Sequence, residues 1–215
     1  MPKYIDYPNR EEWLKGRMHS LGASEVACVL WEGFEPATEL WKEKTGRKNR
    51  KDFSKDKRVD YGAKAEEYLR SLFALKNKTK YEVEYFHYRT YIHEKYDFLH
   101  ATLDGEIIRI SDNKKGVWEC KTVWIMSRKE LESWNGKIPQ KYYIQVLDQL
   151  GIMEYSFAVV TVELIFPDGN SEIRNYTIER DGQVENDIQY VESEAVKWWN
   201  EYVVKDKKPP IKMTL

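Results

Sequence analysis

The longest regular pattern of apolar positions runs from Tyr61 to Leu75, where Tyr61, Ala65, Tyr68, Leu72 and Leu75 recur at 4-3-4-3 spacing. That spacing predicts a helix over Asp60 to Lys76 with this stripe buried. Glu66, in line with Leu69 and Phe73, flanks the stripe, whereas Glu67 points to solvent with Arg70 and Ser71. Farther on the pattern shortens to strand length. Phe98 to Leu103 runs up to Asp104-Gly105, Glu106 to Ile110 leads to the polar turn Ser111 to Gly116, and Val117 to Val123 returns. These segments predict two or three strands in hairpin relation. Lys80 to Ile92 is Tyr-rich and alternates weakly, as a strand or hairpin arm does. Ser156 to Phe166 and Glu172 to Ile178 form another hairpin around Pro167-Asp168-Gly169-Asn170.

Further helices are predicted over Asn9 to Lys15 and Thr38 to Lys44, the latter closed by Gly46. Ser24 precedes Val26, Ala27, Val29 and Leu30 and suits an N-cap or first-turn position. Ser127 to Trp134 reads as a short helix or loop, and Pro139 opens a helix running to Met153. On that helix Tyr142, Gln145 and Gln149 share one face, which by itself reads as solvated. Asp181 to Val204 is a long acidic helix packing through Val191, Ala195 and Trp198. Residues 41–58 form a basic region, with an aperiodic loop from Arg47 to Arg58, and 205–215 a frayed tail. At 215 residues a single domain spanning 1–215 is expected.

Composition narrows the function. Eight Trp and 15 Tyr supply a core despite the high charge content. The longest apolar run, Phe157 to Phe166, is too short to span a bilayer, and no basic–apolar leader opens the chain, so no membrane and a cytoplasmic setting are expected. Cys28 and Cys120 are too far apart for a CxxC site and read as reduced, buried and inert. The net charge of −1 hides a polarity, with nine Lys/Arg against three acids from Lys42 to Arg58 and nine acids against four Lys/Arg from Glu172 to Asp206. A molecule polarised this way can present a basic surface to a polyanion, although for the charge run alone a solvated loop is the favoured reading. The four histidines lack metal-site spacing, and His19 and His100 read as structural or peripheral. There is no Gly-rich phosphate loop and no nucleophile elbow.

The candidate chemistry centres on Glu119-Cys120-Lys121. Glu-x-Lys occurs once in the chain, among the apolar strand residues Val117, Trp118 and Val123, where an idle ion pair is costly. Alternation puts Glu119 and Lys121 on one face and Cys120 on the other, and strand pairing can bring Asp104 beside Glu119. Two carboxylates and a lysine at a strand end can hold a divalent metal and steer a water at a phosphate. Glu66, a carboxylate on the edge of a core stripe, wants a metal or water partner. Ser24 at a helix N-terminus with Arg17 nearby can bind a phosphate, and an ordinary cap is the plainer reading of the same residues.

In order along the chain stand Arg17 and Ser24 (in GASEV), Gly62 and Glu66 (in YGAKAEE), Asp104-Gly105, Glu119-Cys120-Lys121, and Tyr142-Tyr143-Ile144-Gln145. This series resembles the YqaJ-type viral recombinase family, within the lambda-exonuclease-like PD-(D/E)xK nucleases, over roughly Arg17 to Met153. The family usually has Pro before the first Asp, where this chain has Leu103. The resemblance implies an α/β restriction-endonuclease-like fold, a central mixed β-sheet flanked by helices. It also implies Mg²⁺-dependent 5′→3′ digestion of double-stranded DNA ends, leaving 3′ overhangs for strand annealing, with Mn²⁺ able to substitute. Asp104, Glu119, the Cys120 backbone carbonyl and Glu66 are then metal ligands. Lys121 orients and helps deprotonate the attacking water, Gln145 and Tyr142 lie beside it, and Arg17 and Ser24 capture the 5′-phosphate. A ring-shaped homotrimer and a single-strand annealing protein are the implied partners. The alternatives are a repair or restriction-type endonuclease on the same fold and a non-catalytic DNA-binding module. A Cas4-like cluster is disfavoured because it needs four cysteines.

Overall fold

The computed structural model describes residues 2–31, 35–50 and 55–210. Part of the expected basic loop (51–54) and of the expected tail (211–215) lies outside the described residues. The strands form two mixed sheets. The smaller joins β1 (Lys3–Asp6), β4 (Arg89–Ile92), β5 (Leu99–Ala101) and β2 (Leu21–Gly22) in the order β1-β4-β5-β2. The larger runs β3-β6-β7-β8-β9, from β3 (Tyr81–Glu84), β6 (Gly105–Arg109) and β7 (Lys114–Trp124) to β8 (Phe157–Ile165) and β9 (Ser171–Glu179). Its pairs are antiparallel except β7 with β8, which are parallel. A parallel pair needs a crossover, and α5 (Arg128–Glu132) with α6 (Gln140–Met153) supplies it. Buried on both faces, β8 reads as an almost continuous apolar run.

The expected hairpin from Phe98 to Val123 is only partly realised. β6 and β7 form one, but β5 belongs to the smaller sheet. Its turn is tighter than Ser111 to Gly116, because Asn113 adopts φ 55° and Lys114 already lies in β7. Likewise the Tyr-rich arm divides, β3 going to one sheet and β4 to the other. Glu106 joins the sheets, accepting hydrogen bonds from Tyr91 on β4 and from Tyr155 ahead of β8.

Helices cover both faces of the larger sheet. α2 (Ala23–Leu30), α6 and α7 (Gly182–Trp198) bury Val117, Ala158 and Val160 on one side. α4 (Lys57–Asn77) covers Ile107, Trp118, Phe157 and Val159 on the other. The expected stripe of α4 is corrected here. Tyr68 and Leu75 are 75% and 67% exposed, while Leu69 and Phe73 are buried. The helix approaches β7 so closely that a Cβ on Gly62 would lie 3.0 Å from Thr122 Oγ1. Close approach demands a small residue at Gly62, and the packed face runs through Gly62, Ala65, Leu69 and Phe73, turning Tyr68 and Leu75 to solvent. Glu66 therefore lies on the packed face itself. Among the described residues no helix is long and apolar enough to cross a membrane.

The remaining helices are α1 (Arg10–Gly16) and α3 (Ala37–Lys44), and α7 ends in a wider π-type turn, Trp199–Val204. Much of the basic run is neutralised internally. Lys42 and Lys48 pair with Glu39, Arg47 with Asp206, and Lys44 with Glu25. Cys28 and Cys120 are buried and form no disulfide, and burial raises the Cys120 thiol.

Candidate active site

Where β6 leaves β7, a gap opens. Their pairing ends at Gly105 opposite Trp118, so from Glu119 onward β7 keeps only β8 as a strand neighbour. Asp104, one residue beyond the last pair, fills the gap and accepts the Cys120 backbone N–H at 2.8 Å. In a strand one residue's N–H and C=O point to the same side, so the Cys120 carbonyl faces the gap too. Glu119 and Lys121 emerge toward α6, where the Lys121 ammonium pairs with Glu119. Gln145 donates to Glu119 Oε1 and Gln149 to Glu119 Oε2, each at 2.6 Å. The stripe of α6 expected to be solvated is thus buried against the acidic strand residue. Gln149 reaches the site although only Gln145 and Tyr142 were expected there, and its place on their stripe was the signal that could have found it.

Glu66 approaches from α4 across the same edge. Arg70, one turn later, donates to Glu66 Oε1 (3.0 Å) and to the Asp104 carbonyl (2.8 Å), tying helix to strand end. Burial raises the Glu66 carboxyl, with Arg70 opposing. Asp104 is held well above the usual carboxylate range by desolvation and by the negative charges of Glu119 and Glu66. Burial pulls the Lys121 ammonium down, but Glu119 and Asp104 outweigh it, so Lys121 stays protonated.

Arg17 and Ser24 meet the N-terminus of α2 separately, with no hydrogen bond between them among the described residues. Arg17 is 9% exposed; its Nε donates to His100 (3.0 Å), and its Nη2 lies where a Cβ on Gly22 would meet it at 3.2 Å. Burial lowers the guanidinium to about 10, leaving it charged. His100, buried and held also by Ser20, is kept neutral by burial and by Arg17, Lys44 and Arg50; His19 is exposed. Glu25 accepts from Gly22 N (2.8 Å) and pairs with the buried Lys44 (2.8 Å), fixing this corner. Ser24, a first-turn residue, lines a cleft of about 530 Å³ with Arg50, Lys121 and Gln145. Glu66 and Asp104 open instead on a groove of about 350 Å³.

Among the described residues no three His, Cys, Asp or Glu side chains are gathered to hold a metal as they stand. Glu119 is turned to the α6 amides and Glu66 to Arg70. The donor chemistry still fits a hard cation. Three mutually repelling carboxylates and a strand carbonyl converge on one edge, and the buried Oε1 atoms of Gln145 and Gln149 have no protein partner.

A strand-end Asp, a central-strand Glu-x-Lys and a helical Glu on a mixed sheet define a restriction-endonuclease-like fold, the fold of the phage-type exonucleases. Consistent with this, the chain superposes on an alkaline exonuclease from Laribacter hongkongensis with a TM-score of 0.65 at 17% identity, covering 93% of this chain and 97% of that one. The same enzyme in complex with dAMP matches over the same shares at 18% identity, also with a TM-score of 0.65. A phage-related exonuclease from Haemophilus somnus 129PT gives a TM-score of 0.53 at 13% identity, over 86% of this chain and 96% of that one. No curated protein sequence matches. The family model for the YqaJ-like viral recombinase domain matches residues 12–156, and the chain belongs to that family.

Proposed function

We propose that the protein is a Mg²⁺-dependent deoxyribonuclease that digests one strand of double-stranded DNA ends 5′→3′, leaving 3′ overhangs for strand annealing. The observation that carries this reading is the carboxylate edge itself, where Asp104 enters the gap beside Glu119 and faces Glu66. Family membership supports it, and the exonucleases the chain superposes on share its fold.

Asp104, Glu119, the Cys120 carbonyl and Glu66 hold the cation, with Mn²⁺ able to substitute. Bound there, it supplies charge stabilisation at the scissile phosphate and acidifies a water. Lys121, an ammonium in this charge setting, orients the water and balances phosphate charge. Its expected part in deprotonating the water would need it neutral, whereas Glu119 and Asp104 hold it protonated. Gln145 and Gln149 hold Glu119 in place, and Tyr142, under the Lys121 ammonium at 5.6 Å, shapes the water side. Arg17 and Ser24 receive the 5′-phosphate, Arg17 as a charged donor and Ser24 through hydroxyl and helix amides. A trimeric ring, an annealing partner and action in the cytoplasm of a bacterial or phage-infected cell complete the proposal.

The test uses linear duplex DNA with a 5′-phosphate or a 5′-hydroxyl and a closed circle, with Mg²⁺ or with EDTA. Loss of the phosphorylated linear DNA alone, abolished by EDTA, is the expected result. Nicking of the circle moves the protein to the endonuclease class. DNA retarded in a gel but never cut makes it a binding module.

A further inference from the structure

Between β3 and β4 the chain places four ring side chains in succession, Tyr85-Phe86-His87-Tyr88. They wall the 350 Å³ groove onto which Glu66 and Asp104 open. The rings touch in series: Tyr85 to His87 at 4.7 Å between centroids, His87 to Tyr88 at 5.6 Å, and Tyr88 to Trp13 of α1 at 6.1 Å. Both ends carry a guanidinium. Arg70, which reaches Glu66 and the Asp104 carbonyl, lies 3.6 Å over Tyr85, and Arg17 lies 4.4 Å over Trp13.

This row of rings serves no core. Tyr85, Phe86, His87, Tyr88 and Trp13 belong to none of the three hydrophobic clusters, His87 is exposed, and Phe86 is 37% exposed. Tyr88 also holds φ 54°, a left-handed conformation that costs a bulky residue energy, and Tyr7 N pins its carbonyl at 3.2 Å. A strained row of half-exposed rings beside a phosphodiester site needs an occupant that gains from ring faces. Unpaired DNA bases do, because every base has a π-face and stacking tolerates any sequence. Arg10 on the rim adds a cation for the backbone phosphates.

We infer that this groove binds the unpaired bases of a single DNA strand on the Tyr85–His87–Tyr88 rings, next to the carboxylates. The inference deepens the nuclease reading and rests on it for the choice of DNA as the ligand.

The experiment measures fluorescence anisotropy of a labelled oligo-dT with a 5′-hydroxyl, in EDTA, against an abasic oligonucleotide of equal length. Wild-type protein binds oligo-dT at least about tenfold more tightly than the abasic strand. The pair H87A/Y88A loses that preference, and Tyr88→Phe keeps it. Equal affinity of wild type for the two strands overturns the inference without any variant needing to fold, as does an unchanged preference in H87A/Y88A. Mg²⁺-dependent cleavage of linear duplex is followed in parallel. A stacking preference without cleavage removes the nuclease reading alone, and cleavage without the preference removes the groove alone.

Discussion

The carboxylate of Asp104 accepts the backbone N–H of Cys120 at 2.8 Å, across the point where β6 has parted from β7. This contact puts Asp104 next to Glu119 without ordinary strand pairing and turns the Cys120 carbonyl toward the same edge. It makes the end of one hairpin strand part of a charged site.

From that edge comes a division of labour between Asp104 and Lys121. Asp104→Ala removes a proposed cation ligand and is expected to weaken Mg²⁺ binding, read by calorimetry. Lys121→Ala is expected to lower cleavage by at least about 100-fold while leaving Mg²⁺ and DNA binding nearly unchanged. Equal loss of metal binding in both variants would contradict these roles.

Gln149 tests how Glu119 is held. Its amide grips Glu119 Oε2 and also reaches the Thr102 carbonyl at 3.3 Å. Gln149→Ala frees that oxygen, and about 10–100-fold should be lost in activity or metal affinity. The Mg²⁺ concentration for half-maximal rate is the quantity to measure; an unshifted value means that Gln145 and Lys121 suffice.

Gly62 reports on the approach of α4. Ala is the better helix former by about 1 kcal/mol, but its Cβ would meet Thr122 Oγ1 at 3.0 Å. Gly62→Ala is expected to lower activity by moving Glu66 while changing the melting temperature little. Adding Thr122→Ala, which removes the clashing oxygen, should restore much of it. Full activity in the single variant would show that the helix has room.

Asp148, which is not among the proposed ligands, gives stability a pH dependence of its own. It is 4% exposed with Oδ2 unpartnered, and burial, then the Glu192 charge on α7, raises its carboxyl to about 8 from 3.8. Between these values the unfolded chain is ionised and the folded chain protonated, so folding takes up a proton. This group's contribution is complete below pH 3.8 and is lost as pH rises to about 8, at up to about 1.4 kcal/mol per pH unit. Asp148→Asn is therefore expected to raise the melting temperature at pH 8 and to leave it nearly unchanged at pH 4. Parallel melting curves for the two proteins across that range would refute the assignment.

The sequence by itself determined the order of the elements and the core of the site. Strand runs, Asn and Gly turns, Pro139 and the caps are local signals, and they placed most helices and strands correctly. The adjacency of Asp104 and Glu119 was equally local, because a hairpin with a short turn brings its own ends together. Tertiary structure decided the rest. Which face of α4 is buried depended on how β7 lies against it, and packing selected Gly62, Leu69 and Phe73 over Tyr68 and Leu75. The division of two apparent hairpins between two sheets depended on partners far along the chain. Gln149 shares a helical face with Gln145, yet only the approach of β7 turned that polar face from solvent to Glu119, and Arg70 reaches the Asp104 carbonyl through a contact that no spacing encodes.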